Sequence, residues 1–473
     1  MSEENSKDHD SKIRLQKKTE YTMKIAFHTL GCKVNQYETQ ALKEKFIERG
    51  YEITSDDDFA DVYVINTCTV TGLSDRKSRQ FIRRVKKINP DSITAVIGCY
   101  VQVSPEEASQ IEGVDLIAGT NEKNHLPEYI EEYLMGRGSS VHIKEYDQLT
   151  EYEETGIITS MDTRTRAFIK IQEGCDRFCS YCIIPYARGA VRSRARTEIV
   201  KEAERLIEKG YKELVLTGIN TALYGMEKGF DSRGGKQEAV KSSEDEVYGI
   251  EIIVKALDEL PGDFRIRLGS LEPNVISAEY AKRLLKYKRL CPHMHLSLQS
   301  GSDRILKQMN RNYASADYLK LVDLLKEHDP GYGITTDIIV GFPGETEEDF
   351  SESVKIVKKA GLSKVHVFKY SKREGTKAAE MKEQIAPQIK AKRSEELIKA
   401  GEEAGKRFLL QNLGTIRTVL IEQCDPNTGL YEGFSENYIK VYCRSDQNIS
   451  NQFAAVKLIE VYSDGVLGNL INS

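Results

Sequence analysis

The chain has 473 residues, 40% hydrophobic and 30% charged, which suits two to four domains with cores of their own. Its net charge of -5 offers no global attraction to nucleic acid, and no apolar run approaches the roughly 20 residues a bilayer-spanning helix needs. Nine cysteines without a leading apolar signal segment read as intracellular thiols, so a disulfide scaffold and a membrane protein are set aside in favour of a soluble, cytoplasmic one.

Residues 1 to 22 are polar and charged and read as a disordered tail; Met23 opens the first strand and offers an alternative start. From there three short apolar runs each stop at a cysteine. KIAFHTL (24 to 30) runs into Gly31 and Cys32, DVYVINT (61 to 67) into Cys68, and SITAVIG (92 to 98) into Cys99. Helical stretches separate them, YETQALKEKFIERG and SRQFIRRVKKI, so residues 23 to 145 predict a parallel-sheet α/β domain. Ligands of such sheets collect beyond the carboxyl ends of the strands, where all three cysteines fall. Two readings stand: three buried thiols acting as small apolar groups, or three thiolates holding one iron-sulfur cluster. The segment RKSRQFIRRVKK, from Arg76 to Lys87, carries seven cations in twelve residues. It reads either as a solvated helix face or as a phosphate-binding surface.

After a linker over 146 to 164, residues 165 to 400 alternate strands and helices. The strands are 167 to 174, 213 to 220, 264 to 272, 293 to 301, 333 to 342 and 364 to 371. Six β/α units predict a partial (β/α)6 TIM-like barrel with its chemistry on the loops after the strands. The first of those loops reads GCDRFCSYC. Cys175, Cys179 and Cys182 can hold three corners of an iron-sulfur cube and leave the fourth iron without a protein ligand; zinc is the alternative, and it asks for a fourth Cys or His that is not close in sequence. The following IIPYARGAVRSRAR places Arg188, Arg192, Arg194 and Arg196 beside the cysteines, a second site for phosphate. Residues 226 to 246 read as a charged surface insertion. Polar residues close the later strands, among them Asn220, Ser270, Glu272, Gln299 and Ser300. Short β-rich runs within 413 to 470, TIRTVLIEQC, ENYIKVYC and FAAVKLIEVYS, predict a small antiparallel β-barrel in a domain over 405 to 473. It has too little positive charge to hold RNA except through a local patch with Tyr431, Phe434 and Tyr438, and a purely structural role is the other reading.

GCDRFCSYCIIPYARG resembles the cluster loop of radical S-adenosylmethionine enzymes, and the Cys32, Cys68, Cys99 arrangement resembles the N-terminal domain of the methylthiotransferases, with likeness running over nearly all of residues 23 to 470. TLGCKVNQYET looks like the branch acting on threonylcarbamoyladenosine in tRNA; FPGET (342 to 346) and YSKREGT (370 to 376) resemble further signatures. The resemblance implies two 4Fe-4S clusters. One, on the catalytic cysteines Cys175, Cys179 and Cys182, would cleave S-adenosylmethionine to a radical. The other, on Cys32, Cys68 and Cys99, would carry the sulfur that a second S-adenosylmethionine methylates. It further implies that Gly218, Asn220, Ser270, Gln299, Arg311 and Asp337 line the cofactor pocket, that the C-terminal barrel is a TRAM-like RNA-binding domain, and that the partners are tRNA and a reducing protein of flavodoxin or ferredoxin type. The product would be a methylthio group on C2 of the modified adenosine at position 37 of the anticodon loop. Isopentenyladenosine, a ribosomal-protein aspartate, a non-catalytic iron-sulfur RNA-binding role and a zinc-binding structural role are the rival readings.

Overall fold

The computed structural model describes residues 22–69, 72–160, 165–227 and 247–471, with side chains at 72–76 left aside. The expected tail and most of the 226 to 246 insertion lie outside the described residues. The chain divides into two units: one runs to Ile158 and takes in Ile183–Ala190, the other holds Thr159–Cys182 and the chain from Val191.

In the first unit, strands β1 (Lys24–Thr29), β2 (Glu52–Thr54), β3 (Val62–Thr67), β4 (Ile93–Gly98), β5 (Leu116–Ala118) and β6 (Val141–His142) form one sheet in the order β2-β1-β3-β4-β5-β6. Every pairing is parallel. β3 and β4 are buried at every residue, as strands covered on both faces should be. Helices α1 (Lys33–Glu48), α2 (Gly72–Ile88), α3 (Cys99–Val103) and α4 (Leu126–Leu134) supply that cover. Leu42 and Phe46 of α1 and Leu126 and Ile130 of α4 join Ile25, Val64 and Ile97 on one face. Phe81, Ile82 and Val85 of α2 join Ala26, Ile65 and Val96 on the other. Alternate residues of each strand thus feed two cores. A short helix, α5 (Ile184–Arg188), completes the unit from a distant stretch of chain.

The second unit carries two parallel sheets. β7 (Arg166–Lys170), β10 (Glu213–Thr217) and β11 (Arg265–Leu268) make the first; β12 (Ser270–Leu271), β13 (His293–Leu296), β14 (Gly333–Val340) and β15 (Lys364–Lys369) make the second. Between β7 and β10 lies a small antiparallel pair, β8 (Gln172–Glu173) with β9 (Arg192–Ser193). The expected strand over 264 to 272 is interrupted at Gly269, where an added Cβ would sit 2.8 Å from the Leu216 carbonyl oxygen, and its two parts belong to different sheets. One core runs through the partial barrel and its helices.

The last helix, α6 (Pro387–Asn412), places Leu397, Ala400 and Ala404 in the barrel core and Phe408 in the core of a closed five-stranded barrel. That barrel comprises β16 (Ile416–Cys424), β17 (Tyr431–Ser435), β18 (Lys440–Cys443), β19 (Phe453–Tyr462) and β20 (Gly465–Leu470). Four of its pairings are antiparallel and one, β18 with β20, is parallel.

The small barrel seats against the amino ends of the central strands. Buried Glu213 accepts from Arg265 Nε (2.6 Å) and Arg267 Nε (2.9 Å), and these arginines donate onward to the carbonyls of Phe434 (2.9 Å) and Glu436 (3.2 Å). The Arg166 and Arg267 guanidiniums lie 4.8 and 4.6 Å from the ring centres of Phe434 and Tyr438. Two of the three aromatics expected to meet RNA, both half-buried, thus also pack against arginines of the central barrel.

Candidate metal centres

β1, β3 and β4 are neighbours, so the cysteines that follow them share one sheet edge. Gly31 and Gly98, at φ +102° and +104°, turn the chain out of β1 and β4 in a conformation open to glycine. Their missing side chains matter as well. A Cβ on Gly31 would fall 2.5 Å from Cys68 Cβ and 2.8 Å from its Sγ; one on Gly98 would fall 2.6 Å from the Thr67 carbonyl oxygen. Asn35 ties the first two loops together by donating to the carbonyls of Leu30 (2.7 Å) and Thr67 (3.0 Å). Cys32 is exposed, whereas Cys68 and Cys99 are buried.

Beside Cys99 lies a buried charge network that sequence reading did not anticipate. Arg188, fully buried on α5, donates from Nε to Cys99 Sγ (3.1 Å), from Nη1 to Glu38 (2.9 Å) and from Nη2 to Asn35 Oδ1 (2.6 Å). Lys123 closes it, donating to the same Glu38 and to Asn66 Oδ1 (3.1 Å). Burial pushes the Cys99 thiol up, while Arg188 and Lys123 pull it back.

The second site sits on the loop after β8, at the carboxyl end of the first barrel strand. Gly174 and Phe178 adopt positive φ, and the turn over 308–310 holds the loop in place. Asn310 Nδ2 donates to the carbonyls of Arg177 and Phe178 (both 3.1 Å), the Ser180 amide donates to Met309 (3.0 Å), and its hydroxyl donates to Gln308 (2.8 Å). Burial pushes the Cys175 thiol up to about 12 and raises that of Cys179, which Arg311 offsets. Such thiols bind metal by releasing protons. Among the described residues, no three His, Cys, Asp or Glu side chains converge as ligands of a single ion. Three thiolates on separate irons of one cube do not need to converge in that way.

Glu272, after β12, gathers the surrounding polar groups: Arg177 Nε (3.0 Å), Arg311 Nη1 (3.0 Å) and Asn220 Nδ2 (2.9 Å) all donate to it. Although burial opposes its charge, Tyr181, Cys179, Tyr313 and Glu272 hold Arg311 protonated well beyond the usual guanidinium value. The structure thus brings Asn220 and Arg311 together through one carboxylate. Gly218 packs against Gln172, with 2.9 Å between an added Cβ and Gln172 Oε1, and the Ser270 carbonyl accepts from Thr221. Gln299, at φ +68°, donates its amide to the Asp337 carbonyl (2.8 Å). The Asp337 carboxylate pairs with His295 at 3.1 Å. Burial works to raise Asp337, but the His295 hydrogen bond and charge bring it below the usual carboxylate range. Among the described residues, no hydrogen bond joins this pair to the Glu272 group. Glu272 stood at a strand end in the sequence, but its three partners are scattered over 134 positions of chain, from Arg177 to Arg311.

One expectation is overturned here. Of the four arginines, Arg188, Arg192 and Arg194 are buried, with Arg194 paired to Glu202, so these three present no charge to a phosphate backbone, whereas Arg196 is half-buried. Glu38 and Glu202 meet Arg188 and Arg194 inside the fold, which offsets the cost of desolvating them.

The Radical SAM superfamily profile matches residues 169–357, and that of "Uncharacterized protein family UPF0004" matches residues 24–119. The chain is 40% identical to the threonylcarbamoyladenosine tRNA methylthiotransferase MtaB of Bacillus subtilis (strain 168), covering 93% of this chain and 95% of that one. It belongs to the methylthiotransferase family. The MtaB protein of Aquifex aeolicus (strain VF5) is likewise 40% identical to this methylthiotransferase, with 89% and 96% covered. A tRNA-2-methylthio-N(6)-dimethylallyladenosine synthase from Caldicellulosiruptor saccharolyticus is 34% identical, with 94% and 91% covered. Among solved structures, the radical S-adenosylmethionine methyltransferase TsrM from Kitasatospora setae shares the fold at TM-score 0.54 and 15% identity, over 76% of this chain and 77% of that one. As a methylthiotransferase the chain is a transferase, and its cofactors are 4Fe-4S clusters and S-adenosylmethionine. Among the described residues no helix is long and apolar enough to cross a membrane.

Proposed function

We propose that this methylthiotransferase places a methylthio group on C2 of N6-threonylcarbamoyladenosine at position 37 of the tRNA anticodon loop, using two molecules of S-adenosylmethionine. The observation that carries the reading is the presence, in one chain, of two separate cysteine triads at carboxyl strand edges. Cys175, Cys179 and Cys182 hold the cluster that binds S-adenosylmethionine; Cys32, Cys68 and Cys99 hold the auxiliary one. Bound there, the clusters and S-adenosylmethionine supply radical chemistry at the base and the sulfur and methyl group that end on it. The chain's own residues bind and orient. Arg311, Arg177 and Asn220 lock Glu272 beside the cluster loop, and Gly218 lets the backbone pass close to Gln172. A loop nucleotide is unpaired, so it enters a pocket without opening a duplex.

The preference for the threonylcarbamoyl nucleoside follows the 40% identical relatives over the 31% to 36% identical dimethylallyl ones. The enzyme works in the cytoplasm, where tRNA and a flavodoxin- or ferredoxin-type reductant meet it. On α2, Lys77, Arg83 and Lys87 are exposed on the face opposite Phe81, Ile82 and Val85, and they offer phosphate contacts. A strain lacking the gene tests the substrate: its tRNA hydrolysates lose 2-methylthio-threonylcarbamoyladenosine and keep the methylthiolated isopentenyl nucleoside. Loss of the latter alone overturns the assignment.

A further inference from the structure

The charge network beside Cys99 goes beyond holding the fold. Arg188, Lys123 and Glu38 have side-chain exposures of 0%, 3% and 2%, so two cations and one carboxylate are buried together. Buried cations are costly unless negative groups meet them, and here two cations share Glu38. All three Arg188 guanidinium nitrogens make hydrogen bonds, and Nε donates to Cys99 Sγ at 3.1 Å. A 4Fe-4S core of charge +2 on three thiolates carries a net charge of -1, which complements the set. The planar guanidinium is fixed on its other edge by Glu38 and Asn35, so its direction is determined before any metal binds.

We propose that Arg188 is a positioning residue of the auxiliary centre: it donates a hydrogen bond to the Cys99 ligand sulfur, supplies the balancing charge, and thereby sets both iron retention and reduction potential at that centre. The inference rests on the reading that Cys32, Cys68 and Cys99 hold a cluster. Arg188 follows Cys182 by six residues, so the stretch of chain that ends the radical-site triad also furnishes this donor. A donor to a ligand sulfur withdraws electron density and favours the reduced cluster, so its loss lowers the potential.

The test uses the full chain with Cys175, Cys179 and Cys182 all changed to Ala, which isolates the auxiliary site, and compares it with the same chain carrying Arg188→Gln or Arg188→Lys. Iron content, resistance to a chelator and an EPR-monitored redox titration are read. The expected result is a four-iron parent, a Gln variant with a more negative midpoint and iron affinity lower by about 10- to 100-fold, and a Lys variant between them. A parent without iron overturns the three-cysteine reading and this proposal with it. A parent with iron whose folded Gln variant keeps the same potential and iron retention overturns the proposal alone. If the Gln variant does not fold, arginine-specific 15N labelling of the parent decides: a nitrogen coupling to the reduced cluster supports the donor, and its absence refutes it.

Discussion

At the scale of single residues, the two triads divide the chemistry, and their variants should fail differently. Cys179 lies in the loop that Asn310 and Ser180 hold, and Cys68 lies against Gly31 in the other unit. Cys179→Ala is expected to abolish 5′-deoxyadenosine formation together with methylthiolation. Cys68→Ala is expected to abolish methylthiolation while leaving measurable 5′-deoxyadenosine in an anaerobic assay with reductant. Equal loss of both products in both variants would contradict separate roles. The cysteines were legible because each apolar run stops at one, and CxxxCxxC is compact enough to read directly. The arginines after it were misread. Charge is visible in a sequence but burial is not, and the carboxylates that meet Arg188 and Arg194 are Glu38, 150 residues earlier, and Glu202, eight residues later.

At the scale of elements, two devices carry consequences. Glu213, buried between Arg265 and Arg267, joins the central barrel to the C-terminal one. Burial alone would raise its pKa, but the two arginines hold it far below the usual carboxylate range. A depressed folded value means stability that is complete above the unfolded pKa of about 4.3 and is lost as pH falls toward the folded one. Glu213→Gln should cost about 3 to 5 kcal/mol at neutral pH, because it leaves two buried guanidiniums without their carboxylate. The gap to wild type in thermal or urea unfolding should narrow on acidification below about pH 4.3. A gap that stays constant with pH would refute the role given to the ion pairs. On α2, reversing Lys77, Arg83 and Lys87 to Glu should weaken tRNA binding and flatten its salt dependence by about 0.7 to 0.9 in slope per lost contact. Unchanged binding and slope would move the RNA surface elsewhere. β17 and β20 escaped sequence reading for a physical reason. Gly433 and Gly465 lower their β signal, yet added Cβ atoms there would meet the Leu420 and Lys440 carbonyl oxygens at 2.0 and 2.2 Å.

At the scale of the molecule, three architectures follow one another along the chain, and the parallel sheet, partial barrel and small closed barrel were each expected from hydrophobic period and strand spacing. The return of Ile183–Ala190 to the first unit was not foreseen. It depends on Arg188 finding Glu38 and Asn35 and on Thr120 Oγ1 donating to the Ala187 carbonyl (2.8 Å), long-range contacts that no local pattern encodes. The central claim is that one polypeptide holds two cubes, each on three cysteines. Iron quantitation with Mössbauer spectroscopy on anaerobic protein tests it most directly, comparing wild type with Cys32/Cys68/Cys99→Ala and Cys175/Cys179/Cys182→Ala chains. About eight irons in the wild type and about four in each variant, all in 4Fe-4S form, are the predicted result; about four in the wild type, all lost with a single triad, would contradict it.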